Sequence, residues 1–314
     1  MAHFLAIDGG GTTTTCAAAD ERKVLATATA SASNIIRVGQ EQARTALQSA
    51  IRQACAAAGV NPRSVTRTCA GVAGGARREI SQEIQQIIAE VVGGEITVVG
   101  DMIIALEAAF GGGPGVIVIA GTGSIAFGRN VRGETGRAGG WGYAISDEGS
   151  SYWIGRTALR FALRARDEGH DTELLAEIMR ALNVREFQDL VRTANAPACD
   201  FAVIAPAVTQ LAQKDEFARG VIAFAARELA ELADTVIRHI WDVSQHVPVA
   251  TAGGVFRNSA IVRELFYNEL RKLAPAITPI DREIEPVQGA LFVATNPGHR
   301  VPSIEPRAEE KSKS

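Results

Sequence analysis

The sequence predicts a mixed α/β protein in two related halves, and three observations carry that expectation. Apolar runs rich in β-branched residues alternate with amphipathic helical stretches, the mark of sheets covered by helices. A strand, a Gly/Thr turn and a second strand occur twice, at Asp8-Gly-Gly-Gly-Thr12 and again at Ala120-Gly-Thr-Gly-Ser124. Between them lies Gly111-Gly-Gly-Pro-Gly115, the strongest break in the chain.

Taken in order, residues 3–7 form a strand that turns through the glycines and threonines at 9–15 into a second strand, and residues 24–29 continue the meander. The pattern at 41–58 is an amphipathic helix, ended by Gly59 with Pro62 beyond. A strand at 65–70, a helix at 77–92 and a strand at 96–99 follow, and Asp101 opens a helix over 102–110. After the glycine break, the run at 116–120 suits a strand buried on both faces. The stretch from Ser124 alternates like a strand and reaches a hairpin-like turn at Arg132-Gly133-Glu134. Gly139-Gly-Trp-Gly142 comes next, and Ser146 or Asp147 is expected to cap a helix running through Trp153 and Ala158. Residues 147–245 read as nearly all helical, with breaks at Gly169, 195–197 and Lys214-Asp215. A strand at 248–251 ends in Gly253-Gly254, a helix is expected from Asn258 onward, and 286–294 is the last helix. The expected division is a first lobe at 1–112, a second at 113–298 with its helical segment at about 147–245, and a flexible tail at 299–314.

Composition narrows the function classes. With 314 residues, 46% hydrophobic and 21% charged, the chain is long enough for two domains of ordinary size. A net charge of −3 gives no basic face for nucleic acid or anionic lipid. The 4 cysteines (Cys16, Cys55, Cys69, Cys199) show no metal-binding spacing and read as buried small hydrophobes of a reducing compartment. None of the 5 histidines sits in a ligand-like pair. No leader precedes the first strand and no apolar run approaches transmembrane length, so a cytoplasmic setting is expected.

The chemistry lies in the turns. A carboxylate at a strand end followed by glycines and hydroxyls, as at Asp8, can hold Mg²⁺ directly or through water while amides and hydroxyls bond phosphate oxygens. No lysine follows as in a P-loop, and a plain hairpin turn is the ordinary alternative. Gly121-Thr-Gly123-Ser124 can converge on an anion in the same way. The match of Gly121, Gly123 and Ala126 to a dinucleotide fingerprint fails because a strand, not a helix, follows. Asp101, at a strand end in an α/β crevice, is placed for a ligand or for an ordinary helix cap. Gly253-Gly254 suits an adenosine-binding turn. Trp241 has helical core spacing, whereas Trp141, flanked by glycines, can form a wall for a sugar ring.

Asp8-Gly-Gly-Gly-Thr12, Ser33-Asn34, Asp101, Gly121-Thr-Gly-Ser124, Gly139-Gly-Trp-Gly142, Asp147-Glu-Gly149 and Gly253-Gly254 resemble, in order and spacing, the N-acetylglucosamine kinases. These belong to the BadF/BadG/BcrA/BcrD ATPase group of the actin/hexokinase/Hsp70 superfamily, and the resemblance runs from about Phe4 to Ala294. It implies a two-lobed actin-like ATPase (ribonuclease H-like) fold with ATP, Mg²⁺ and an amino sugar in the cleft, and a homodimer. It implies that Asp101 is the catalytic base for the sugar 6-hydroxyl and that Asp8 orients Mg²⁺ through water. It assigns Gly10, Gly11, Thr12 or its neighbour Thr13, Gly121, Thr122, Ala212, Gly253, Gly254 and Asn258 to ATP. Asn34, Asp101, Ser124, Ile125, Gly140, Trp141, Gly142 and Asp147 match sugar positions. Two departures touch the substrate: Ile35-Ile36 stand where some relatives have an aromatic residue, and Ala138 replaces a cysteine. Glucosamine, N-acetylglucosamine and N-acetylmuramic acid kinases share these motifs.

Two other readings belong to the same superfamily. An ATPase that drives a partner enzyme would carry paired cysteines for a bridging cluster, and no such pair is present. A sugar-sensing regulator would carry a helix-turn-helix ahead of the core, where Phe4 already opens the first strand.

Overall fold

In the computed structural model, residues 2–170, 172–197, 199–242 and 245–302 are described; most of the expected tail, 303–314, lies outside them. The chain begins with the meander β1 (Phe4–Gly9), β2 (Thr13–Ala19) and β3 (Val24–Ser31). A short α1 (Ile35–Val38) leads into α2 (Gln40–Ala58), which ends at Gly59 in the left-handed conformation. Then come β4 (Arg67–Val72), α3 (Arg78–Ala89), β5 (Glu95–Gly100) and α4 (Asp101–Phe110). The second half repeats the meander as β6 (Gly115–Ala120), β7 (Ser124–Arg129) and β8 (Thr135–Gly139). A helical block follows: α5 (Ser151–Asp167), α6 (Glu173–Ala181), α7 (Phe187–Ala194), α8 (Ala205–Leu211) and α9 (Glu216–Ile240). The chain closes with β9 (Val247–Ala252), α10 (Gly254–Arg257), α11 (Ala260–Leu273), β10 (Ile277–Pro279) and α12 (Pro286–Thr295). Among the described residues no helix is long and apolar enough to cross a membrane.

The two sheets share one topology. The first runs β3-β2-β1-β4-β5 and the second β10-β9-β6-β7-β8. In each, a central strand pairs antiparallel with the next strand of its meander and parallel with a strand returned through a helix. The expected two-lobed α/β architecture of actin-like type is therefore present, and the duplication extends beyond the turns that revealed it.

The sheets are joined through α4 and α12. One continuous core cluster takes in Phe4 and Ala6 of the first sheet, Ile117, Phe127 and Ala250 of the second, and buried residues of both helices. Between two sheets α4 has no solvent side, so Met102 to Leu106 are buried all round. The helices cross closely because Gly289 has no side chain; a Cβ there would overlap the Ile104 carbonyl. The glycine-rich linker is fixed by a buried pair. Arg129 Nη1 lies 2.6 Å from Glu107 Oε1, while Arg129 Nη2 donates to the Gly113 carbonyl at 2.8 Å. Glu107 Oε2 accepts the Gly112 N–H at 2.8 Å, and His299 Nε2 lies 3.0 Å from Glu107 Oε1. These bonds satisfy a charge pair that would otherwise be costly to bury.

Several local expectations are corrected. The helix expected from Ser146 or Asp147 starts only at Ser151, because Asp147 and Gly149 have φ of 71° and 77° and cannot be helical. Ser150 is the cap, its Oγ accepting the Trp153 N–H at 3.2 Å. The helix expected from Asn258 onward begins at Ala260, capped by Ser259, and the short α10 before it, ending at Asn258, was not expected. Trp241 lies just past the end of α9, buried as expected. Cys16, Cys55 and Cys69 are buried, but Cys199 is only half-buried. β10 had no sequence signal at its three-residue length.

The α4–α12 crossing gives the first prediction. Gly289→Ala adds a good helix former, worth about 1 kcal/mol in an exposed helix. The overlap with Ile104 should outweigh that gain, for a net loss of about 1–3 kcal/mol. The check is the denaturant midpoint, which falls if the crossing is as tight as the backbone shows.

Candidate active site

The parallel core of the first sheet collects acidic residues at one edge. The register pairs Asp8 with Gly71 and Val72 with Gly100, so Asp8 and Asp101 lie at the C-terminal ends of β1 and β5, parallel strands on either side of β4. Gly100, not Asp101, occupies the cap position of α4. The Asp101 side chain is thus not spent on capping the second turn; its Oδ1 accepts the adjacent Met102 N–H at 3.0 Å. Burial raises the Asp101 pKa, and backbone N–H donors offset part of the rise. Asp8 is pushed up to about 7, first by burial and then by the Asp101 charge, with Arg257 pulling the other way.

The two Gly/Thr turns meet at this edge. Each is closed by its own backbone: Gly10 N–H donates to Thr13 O, and Gly121 N–H to Gly123 O, both at 2.9 Å. Across the gap the Thr12 and Thr122 hydroxyl oxygens stand 3.1 Å apart. Two turns separated by more than a hundred residues thus present hydroxyls and amides to one spot. Gly253 joins them from β9: its φ is 93°, and a Cβ there would overlap the Ala120 carbonyl. Gly254 begins α10 and Asn258 sits exposed at its end, so the expected nucleotide turn borders the second hairpin.

The predicted sugar residues line the loops beside these turns. Asn34 caps α1, its Oδ1 accepting the Ile36 N–H at 3.1 Å, which leaves its amide nitrogen for a ligand. Burial raises the Asp147 pKa, and the backbone N–H groups of Ser124 and Gly142 offset part of the rise. The carboxylate lies against the hydroxyl turn, where a Cβ on Gly123 would come within 2.9 Å of its Oδ2. The Asp147 φ of 71° is the kind of backbone strain that persists where surrounding contacts impose it. Ser124 lies underneath, its Oγ donating to the Glu148 carbonyl at 2.7 Å. Ile125 supports Gly140, whose Cβ would come within 2.8 Å of the Ile125 Cδ1. Trp141 is 60% exposed, a free face rather than a core residue.

One predicted residue is not brought to the site. Ala212, assigned to ATP, is fully buried at the end of α8 in the helical core and offers no surface to a ligand. Conversely, several arginines at the site carried no periodic or motif signal. Arg37 of α1 donates to the Gly11 carbonyl at 3.3 Å and pairs with Asp200 of the second half at 3.0 Å, so it bridges the lobes at the first hairpin. Arg257 of α10 pairs with Glu283 at 2.7 Å while its charge reaches Asp8.

Comparison with known proteins identifies the family. The BadF/BadG/BcrA/BcrD ATPase family model matches residues 5–294. An N-acetylmuramic acid/N-acetylglucosamine kinase of Clostridium acetobutylicum is 32% identical, over 94% of this chain and 98% of its own length. An N-acetyl-D-glucosamine kinase of Dictyostelium discoideum is 30% identical, over 93% of this chain and 98% of its own. The fold matches that solved for a candidate N-acetylglucosamine kinase of Chromobacterium violaceum with a TM-score of 0.76, at 24% identity, covering 94% of this chain and 99% of that one.

The raised Asp8 pKa has a definite consequence for stability. Asp8 binds its proton up to about pH 7 in the fold, against a reference value of 3.8. Between those values the folded state holds the extra proton, so stability falls as pH rises through that window and levels off above it. Asp8→Asn removes the charge that must be buried. Without nucleotide or metal, the Asn variant should melt increasingly above the native protein from pH 5 to pH 8. Coincident melting curves across that range would contradict the assignment.

Proposed function

We propose, from the premise that the chain belongs to the BadF/BadG/BcrA/BcrD ATPase family, that it is an ATP-dependent kinase transferring the γ-phosphoryl group to the 6-hydroxyl of an amino sugar. The observation that carries this reading is the meeting of Thr12 and Thr122, 3.1 Å apart, beside the Asp8 and Asp101 carboxylates. The kinase names of the two relatives at 32% and 30% identity support it, as does their near-complete overlap with this chain.

Phosphoryl transfer asks a protein mostly for positioning and charge stabilisation. The amides of Gly10, Gly11 and Gly121 and the hydroxyls of Thr12, Thr13 and Thr122 are suited to phosphate oxygens. Gly253, Gly254 and Asn258 border the same spot and would take the adenosine side. Asp8 fits a Mg²⁺ ion: it is an oxygen donor next to the hydroxyl turn, and its burial beside Asp101 makes a cation favourable there. Among the described residues no group of three or more His, Cys, Asp or Glu side chains could hold a metal alone. An ion held by one carboxylate, phosphate oxygens and water is the usual state of Mg²⁺. When bound, it supplies neutralisation of phosphate charge.

Asp101 is placed to accept the proton of the attacking hydroxyl. Its raised pKa makes it a stronger base than a solvated aspartate once ionised, and the backbone donors hold it in place. Asn34, Trp141, Gly140, Gly142 and Asp147 would hold the sugar, with the Trp141 face against a ring. The substrate's amino substituent would meet Ile36, 59% exposed, and the half-buried Ala138, the two places where the sequence departs from some relatives.

The test is coupled ADP release with Mg-ATP against glucosamine, N-acetylglucosamine, N-acetylmuramic acid, glucose and no sugar, with the phosphorylated carbon identified by NMR. Strong release with an amino sugar over a low blank is expected. Equal release in every well would contradict the kinase and favour an ATPase that drives a partner. Asp101→Asn should lower kcat by about 10²–10⁴-fold while sugar binding persists; near-normal turnover would remove Asp101 from the role.

A further inference from the structure

Trp141 is a large side chain on a turn of small ones. It is 60% exposed, and Gly139, Gly140 and Gly142 around it all have positive φ. The backbone of the turn is well seated. A Cβ on Gly139 would lie 3.0 Å from Leu232 Cδ1 of α9, and one on Gly140 would lie 2.8 Å from Ile125 Cδ1 of β7. The indole itself has far less around it, and one neighbour covers its ring. Arg137 of β8 holds its guanidinium carbon 4.2 Å from the ring centroid. Its Nη2 donates to the Gly139 carbonyl at 3.0 Å. Its backbone is fixed by the sheet, where the register sets Arg137 opposite Phe127.

This arrangement costs Arg137 something. Its Nε is buried without a hydrogen-bond partner, whereas an arginine left in water would keep every N–H solvated. The stack on the indole and the bond to Gly139 offset that cost. A planar guanidinium lies flat on an aromatic face, as a compact ammonium cannot. One face of Trp141 is therefore occupied by Arg137, and the exposure of the residue falls on what remains. An indole free to sample several rotamers must be ordered when a ligand packs on it. Ordering one such side chain weakens binding by about 2- to 10-fold. An indole ordered beforehand avoids that loss.

We propose that Arg137 is a positioning residue of the sugar site: it stacks on one face of Trp141 and pins the Gly139 carbonyl, so that the opposite face meets the sugar already ordered. This inference rests on the kinase reading above. Arg137 acts through Trp141, and its effect falls on sugar binding rather than on phosphoryl transfer or the nucleotide.

The test is a mutant cycle read on the KM of the amino sugar that gives the strongest ADP release. Arg137→Gln should raise the sugar KM by about 2- to 10-fold, with kcat and the KM for ATP close to native. Trp141→Ala should also raise the sugar KM, and on that background Arg137→Gln should add nothing, because the ring it orders is gone. Arg137→Lys should fall between native and Arg137→Gln, since an ammonium keeps the charge over the ring and loses the flat stack. A second readout needs no sugar. The tryptophan fluorescence that disappears in Trp141→Ala should show faster local motion in Arg137→Gln, by time-resolved anisotropy. If Arg137→Gln does not fold, Arg137→Lys carries both readouts at smaller size. A native sugar KM, losses in the two variants that simply add, or an unchanged anisotropy decay would each overturn the positioning role and leave the kinase reading intact. Absence of sugar-dependent ADP release by the native protein would overturn the kinase reading itself, and the role of Arg137 with it.

Discussion

The site depends on how closely two sheets can approach, and that distance is set where α4 crosses α12. Gly289 lets the α12 backbone rest on the Ile104 carbonyl, and the apolar residues of both helices fill the space between the sheets. Because the sheets share one strand order, fixing their separation also fixes the separation of equivalent turns. The result is the 3.1 Å approach of Thr12 to Thr122. Glu107 and Arg129 hold the linker at the base of this arrangement, in a buried pair with its hydrogen bonds satisfied. At the other end Arg37 and Asp200 join the lobes through a half-exposed ion pair. Such pairs are worth about 0–1 kcal/mol, so this contact adds far less to the joining of the lobes than the apolar base does.

The same geometry produces the electrostatics. Two carboxylates at the ends of parallel strands on either side of β4 are partly removed from water, and the Asp101 charge adds to the rise at Asp8. The apo protein carries that cost, and a bound cation with phosphate would relieve it. This is the usual relation between stability and a polar site, where local rules are broken for chemistry. The Arg257 charge acts against the rise at Asp8, and the Arg137 guanidinium lies over the Trp141 ring.

Much of this was legible in the sequence because it was encoded locally. Glycine-rich turns after buried strands marked both hairpins, the positions of Asp8 and Asp101 followed from strand ends, and Gly59 ended α2 where its left-handed conformation required. What escaped was set by distant contacts. A run such as 146–150 looks like a helix start until the Asp147 carboxylate packs against Gly123 of the distant hairpin with its φ positive. β10 is too short to show a period and exists because β9 offers it an edge. Ala212 shows the opposite error: a position carried over by resemblance that the helical core of this chain encloses. Arg37 lies in unremarkable surroundings along the chain, and only the folding of two lobes onto each other gives it neighbours that matter.

The most direct measurement of the central claim, that both hairpins grip one nucleotide, is a double-mutant cycle on Thr12→Val and Thr122→Val read by calorimetric binding of a non-hydrolysable ATP analogue with Mg²⁺. Two hydroxyls that share one set of phosphate oxygens should give non-additive losses, with a coupling of about 0.5–3 kcal/mol. Losses that add without coupling, or a full-affinity double variant, would contradict the claim that the turns converge on a common ligand.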